Sequence, residues 1–211
     1  MARPAKGWVR RTVRRLRYGA PLVIVSGLPR SGTSMMMRML EAGGVQIRAD
    51  AQRAPDFDNP RGYYELERVR HLAHETDRSW LRNVRGEALK VISHLLPSLP
   101  DGNFYQVILM QRDLDEVLAS QNKLLVRRNE PNPVSDERAR VLFERHLETT
   151  RRLLAGRRNF SGLEVAYRDA LHEPQRVARE VAEFLDRPLA LDAMARAVEL
   201  DLYRNRGGSA S

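Results

Sequence analysis

The chain of 211 residues carries a formal charge of +9, has a hydrophobic share of 42% and contains no cysteine. That length and apolar content suit one domain with a substantial core, whereas the missing thiols exclude a disulfide framework, thiolate catalysis, cysteine-ligated zinc and iron–sulfur chemistry. The apolar run around Leu22 to Val25 is far too short to span a bilayer and the N-terminus lacks the apolar core of a secretory signal, so a cytoplasmic protein is expected.

Residues 1–20 form a basic arm in which Arg3, Lys6, Arg10, Arg11, Arg14, Arg15 and Arg17 precede the first strand. Trp8, Val9, Val13 and Leu16 interrupt it at roughly helical spacing, a pattern that suits an anionic membrane face or a solvated helix packing Trp8 on the domain. Nucleic acid is the poorer match, because aromatics make up 6% of the chain and none cluster among these arginines as base-stacking platforms would.

After the arm, Pro21 to Ser26 is a β-branched run that ends in a glycine turn, and Thr33 to Ala42 has the apolar content of a helix. Asp58 to Gly62 is turn chemistry; beyond it Leu66, Val69, Leu72 and Trp80 fall on one side of a predicted helix starting near Tyr64. Ala88 to Ser93 predicts a second buried strand, and Tyr105 to Met110 a third, central one. Asp113 followed by Glu116 forms a capping box that opens a helix through about Leu125. After the loop Asn129 to Pro133 come a helix from about Ser135 to Ala155, a strand at Gly162 to Ala166, and helices over Glu173 to Leu185 and Leu191 to Glu199. Strands alternating with helices imply an α/β fold, a mainly parallel central sheet with helices on both faces. One domain over residues 21–206, with a mobile tail at 207–211, is the expected organisation.

The turn after the first strand carries the chemistry. A glycine-rich loop between a buried strand and a helix aims several backbone N–H groups at one point beside the positive end of the helix dipole. The nucleoside-triphosphate version of this P-loop reads G-x-x-x-x-G-K-[ST], its lysine reaching the β and γ phosphates. Here the frame reads Gly27-x-x-x-x-Gly32-Thr33-Ser34, with no lysine after the second glycine and with Arg30 two residues before it. The central strand ends Gln111-Arg112 rather than in a magnesium-binding aspartate, so a metal is poorly provided for. His71 and His74 sit three apart on a helix, and neither they nor His146 and His172 complete a metal pattern.

Leu28-Pro-Arg-Ser-Gly-Thr-Ser34 resembles the 5′-phosphosulfate loop of the sulfotransferases, whose architecture is P-loop NTPase-like. The resemblance implies a donor, 3′-phosphoadenosine 5′-phosphosulfate (PAPS), a product, 3′,5′-adenosine bisphosphate (PAP), and no metal. It assigns the phosphosulfate to Arg30, Ser31, Gly32, Thr33 and Ser34. The family's second motif is an arginine at the end of a central strand with a serine eight residues on, together holding the 3′-phosphate; Arg112 and Ser120 match it. Tyr167-Arg-Asp-Ala-Leu-His-Glu-Pro174 is similar to a segment whose tyrosine contacts adenine, although arginine replaces its glutamate. Tyr203-Arg-Asn-Arg-Gly207 is similar to the family's R-K-G loop and makes Arg204 and Arg206 candidate 3′-phosphate contacts.

A catalytic base in the family is usually a histidine at the end of the strand before the central one. Lys90-Val-Ile-Ser-His94-Leu-Leu-Pro97 offers His94 by chemistry, while alignment on the leucine-leucine-proline places Lys90 there instead; both stay open. The acceptor, a small molecule, glycan or lipid, is not identified, because acceptor pockets are built from loops. Asn59 to Trp80 and Asn129 to Val134 are the candidate walls. The competing readings are an atypical P-loop kinase or nucleotide hydrolase, and a non-catalytic anion-binding module recruited by the basic arm.

Overall fold

The computed structural model describes residues 13–50, 64–132 and 134–198. A helix, α1 (residues 13–18), leads to β1 (Leu22–Gly27), α2 (Thr33–Ala42) and the single turn α3 (Glu67–Arg70). There follow β2 (Ala88–Lys90), β3 (Tyr105–Gln111), α4 (Leu114–Arg127) and α5 (Asp136–Gly156), then β4 (Phe160–Ala166), α6 (Tyr167–His172), α7 (Pro174–Leu185) and α8 (residues 191–198). The four strands lie in the order β2-β1-β3-β4 and every pairing is parallel.

Alternation along the central strands divides the interior in two, since successive side chains point to opposite faces of a sheet. Val23, Val25, Ile108 and Met110 face α2, α7 and α8 with Met36, Met39, Val181 and Met194. Leu22, Ile24, Val107 and Leu109 face the other way, onto Trp80, Leu81, Leu96 and Leu154. Every residue of β1 is buried, so the strand that carries the glycine turn is clamped from both sides.

The covering of the second face departs from the sequence expectation. The helix predicted from Tyr64 to Trp80 is only α3 and a run of turns, followed by a 3₁₀ turn at Ser79–Arg82. Arg78 turns back to donate to the carbonyls of Leu72 (3.0 Å) and Ala73 (3.5 Å), and the Asp77 carboxylate accepts from the Ser79 N–H at 2.9 Å. Side chains thereby take the backbone groups that a continuing helix would have used. Val69, Leu72 and Trp80 still share one core, so the helical spacing reported burial rather than a continuous helix. β2 likewise ends at Lys90, and Ser93–Ser98 is a 3₁₀ turn containing Pro97.

The helices α4 and α5 run antiparallel, fastened by Arg140 to Asp115 and by Asn122 to Asp136 at 2.9 Å. Few of their residues are buried: Val117 and Leu118 in α4, Thr150 and Leu154 in α5. The pair is therefore held to the domain mainly at the start of α4 and the end of α5. Asp113 caps α4, accepting from the N–H groups of Asp115 (2.9 Å) and Glu116 (3.2 Å). The reciprocal half of the expected capping box is replaced, because the Glu116 carboxylate reaches Arg112 and Arg168 instead. Asp113→Ala should cost about 1 kcal/mol and lower the melting temperature by about 2–4 °C, measurable by thermal denaturation followed by circular dichroism.

Candidate functional site

The site is built where β1 and β3 leave the sheet. Their register pairs Gly27 with Met110, so the loop after β1 and the corner after β3 emerge side by side at the C-terminal edge. Gly27 is at φ 153°, and a Cβ there would lie 2.3 Å from the Ser31 hydroxyl and 2.8 Å from the Met110 carbonyl oxygen. Only a bare glycine lets the loop fold this closely against the neighbouring strand.

Gly32 (φ 97°) serves as the N-cap of α2, with no side-chain cap and no acidic residue in the first turn. By helix geometry the first-turn N–H groups lack intrahelical partners, and the dipole adds positive potential where they point. Ser31 is 1% exposed and its hydroxyl has no hydrogen-bond partner among the described residues. A buried unsatisfied hydroxyl beside the first-turn amides of a helix is what a loop built for an anion would present, although the Ser31 N–H itself donates to the Leu28 carbonyl at 3.2 Å. Arg30 is itself left-handed (φ 67°), a conformation costly for a residue with a Cβ and often found at ligand clamps.

Two parts of the chain distant in sequence are joined here. The Arg30 Nε donates to the Ser120 hydroxyl at 2.9 Å, and the Arg112 Nη1 donates to the Arg30 carbonyl at 3.2 Å. Arg112 also donates through Nε to Glu116 (2.8 Å), and its guanidinium lies 4.4 Å from the centre of the Tyr167 ring. That ring backs directly onto the loop: a Cβ on Gly32 would stand 2.4 Å from Tyr167 Cδ2. Arg112 is thus fixed by a carbonyl, a carboxylate and an aromatic face.

Lys90 reaches the loop from β2. Its ammonium donates to the Ser34 hydroxyl at 3.2 Å and lies 3.8 Å from Glu65, with its side chain only 10% exposed. The loop positions Arg30, Ser31, Gly32, Thr33 and Ser34 and the partners Arg112, Ser120, Tyr167 and Lys90 therefore converge. His94 does not join them through any contact seen here; it is exposed on the 3₁₀ turn beyond β2. Arg204 and Arg206 lie outside the described residues, as do the first five residues, Asn59 to Tyr63, of the candidate wall that runs to Trp80, and Pro133 of the other wall.

Sequence reasoning missed a pair next to His94. The Ser93 hydroxyl, buried, lies 2.7 Å from His146 Nε2, and Thr150 donates to the His146 carbonyl at 2.9 Å. Burial, reinforced by repulsion from a charge on His94, pulls the His146 imidazole below the ordinary histidine range. Ser93 and His146 are 53 residues apart, and no local pattern joins them.

Comparison with known proteins adds the following. A family model for the sulfotransferase domain matches residues 20–205. A comparison with curated protein sequences finds no match. Among solved structures, the sulfotransferase STF9 from Mycobacterium avium is similar with a TM-score of 0.53 at 15% identity, over 93% of this chain and 72% of that one. A sulfotransferase from Alicyclobacillus acidocaldarius gives 0.44 at 15% identity, over 80% and 81%. An unliganded sugar kinase from Janibacter sp. HTCC2649 gives 0.42 at 16% identity, over 82% and 98%. The likeness to STF9 supports the α/β fold.

The lowered His146 pKa has a signed consequence. An unfolded chain takes up the proton near the ordinary value of 6.5 while the folded chain resists it, so this contribution to stability is present above that value and lost as the pH falls below it. The melting temperature should fall between about pH 7 and pH 5, and less steeply in His146→Gln; identical profiles for the two proteins would contradict the assignment.

Proposed function

Since the chain belongs to the sulfotransferase family, we propose that it transfers a sulfuryl group from PAPS to a hydroxyl or amine acceptor and releases PAP. The observation that carries this reading is the union of the two corners: Arg30 on Ser120, and Arg112 on the Arg30 carbonyl, across 90 and 82 residues of sequence. A donor with anionic groups at both 5′ and 3′ positions needs two cation-bearing corners at a fixed separation. One loop alone would serve a simpler nucleotide.

The residues fit such a donor. The N–H groups from Gly32 to Ser34 and the Ser31 hydroxyl, which has no partner among the described residues, suit the 5′-phosphosulfate, whereas the Ser31 N–H already donates to the Leu28 carbonyl at 3.2 Å. Arg112 and Ser120 suit the 3′-phosphate, and Tyr167 is assigned to the adenosine side, between Gly32 and Arg112. Arg204 and Arg206 are proposed as further 3′-phosphate contacts on the strength of the tail motif alone.

In the reaction a bond forms from the acceptor oxygen or nitrogen to sulfur while the bond from sulfur to the bridging phosphate oxygen breaks. The acceptor's proton passes to a base, and charge collects on the bridging oxygen. Arg30 opposes that charge with a fixed guanidinium, and because it holds its proton it acts by electrostatics alone. Lys90, anchored on Ser34, adds a second cation. Lys90, which reaches the loop, and His94, exposed beside His146, are the two candidates for the proton acceptor. The acceptor, a small molecule, glycan or lipid, would enter between residues 64–80 and the loop joining α4 to α5.

PAP should raise the melting temperature without added metal, by an amount that grows with its concentration, whereas ADP with magnesium should have little effect. Stabilisation by ADP and magnesium alone would favour a kinase or nucleotide hydrolase. Arg112→Ala should weaken PAP about 10- to 100-fold, the range expected for lost hydrogen bonds to a charged group, and change adenosine 5′-monophosphate little; calorimetric titration of both ligands separates the two effects. Equal losses would reject the role given to Arg112.

A further inference from the structure

The end of the sheet opposite the anion loop is a platform of arginines. Leu22 N–H donates to the Phe104 carbonyl and Tyr105 N–H to the Asn159 carbonyl, both at 2.9 Å, so Phe104 and Asn159 mark the N-terminal edge. α1 lies against this edge: Arg14 donates to the Arg158 carbonyl at 2.9 Å and covers the Phe104 ring at 5.4 Å. Arg15 stands 3.8 Å from Asp186, and Arg17 stacks on Tyr18. From the loops below the strands, Arg85 donates to Asn103 at 3.0 Å and Arg187 to the Gly86 carbonyl at 2.7 Å. Arg157 is bound to Asp101 and to the Leu99 carbonyl.

Two features of this platform go beyond a solvated basic face. Arg85 and Arg187 reach amide and carbonyl oxygens, which carry no opposing charge, while Asp186 and Asp101 pair with Arg15 and Arg157. Crowding shows in Arg187, whose pKa is lowered by burial and by the charge of Arg15. In the midst of the charge two aliphatic side chains point outward: Leu16 is 84% exposed and Val13 57%.

We infer that this N-terminal edge of the sheet, with Leu16 and Val13 of α1 at its surface, docks on an anionic lipid bilayer. A lipid surface takes both features at once, since acidic headgroups attract the arginines while the aliphatic side chains enter the headgroup boundary. Nucleic acid would use only the charge: Phe104 is buried beneath Arg14 and Tyr18 is covered by Arg17, which leaves no free stacking face among the described residues of this edge. No helix among the described residues is long and apolar enough to cross a membrane, so the attachment is peripheral. The seven residues of β3 hold the anion loop about 20 Å beyond the platform. Docking would leave the loop facing away from the bilayer.

The test is flotation of the full chain with vesicles of phosphatidylcholine alone, or of two parts phosphatidylcholine to one part phosphatidylserine. The wild type should float only with the mixed vesicles and be released by salt. Leu16→Asp should lower partitioning about tenfold through lost apolar burial, and Arg158→Glu at least about fivefold through lost attraction. Both side chains are exposed, so circular dichroism should show unchanged folding. Arg158 lies outside the N-terminal arm, which makes its loss diagnostic of the platform rather than of residues 1–12. Wild-type flotation by either variant would overturn the inference, as would equal binding to neutral vesicles. Binding to a DNA duplex that is tighter than to the mixed vesicles and insensitive to Leu16→Asp would overturn it in favour of nucleic acid.

Discussion

The candidate site depends on one contact, the seating of the Arg30 backbone and side chain between Arg112 and Ser120. It forms because β1 and β3 are adjacent, parallel and in a register that brings Gly27 level with Met110. A shift of one residue would turn each strand's core-facing side chains to the opposite face, so burial on both sides of the sheet enforces the register. The geometry of the anion loop is therefore secured by apolar packing on two faces, some distance from any charge.

Strain and neutralisation are distributed around that contact. Arg30 is held left-handed, Gly32 and Gly27 accept conformations or contacts that a side chain would spoil, and Tyr167 wedges against the loop from β4's far end. Glu116 meets Arg112, and Glu65 lies near Lys90, so the cations stand beside carboxylates. These ion pairs are partly exposed and contribute little net stability. Their greater effect is to hold long side chains in one orientation, which lowers the entropy lost when an anion is gripped.

Much of this was legible in the sequence. The strand-loop-helix around Gly27 to Ser34 and the spacing of Arg112 to Ser120 are local patterns, and local patterns survive into structure when a buried strand precedes them. The region from Tyr64 to Trp80 was misread as one helix because apolar spacing reports which side chains are buried, whereas Asp77 and Arg78 decide where the backbone hydrogen bonds go. Ser93 with His146 was out of reach for a different reason: the pairing follows from how α5 crosses the 3₁₀ turn after β2, a fact of tertiary arrangement. The capping residue Asp113 was read correctly, while the partner choice of Glu116 turned on an arginine one residue before the cap.

The antiparallel pair of α4 and α5 has a consequence of its own. Ser120 sits on a helix with two buried residues, and the polar fastenings to α5 are exposed to solvent. The side chain of Arg30 is thus tethered to a lightly buried helix while its backbone follows a strand clamped on both faces, so the two halves of the cradle rest on supports of unequal depth.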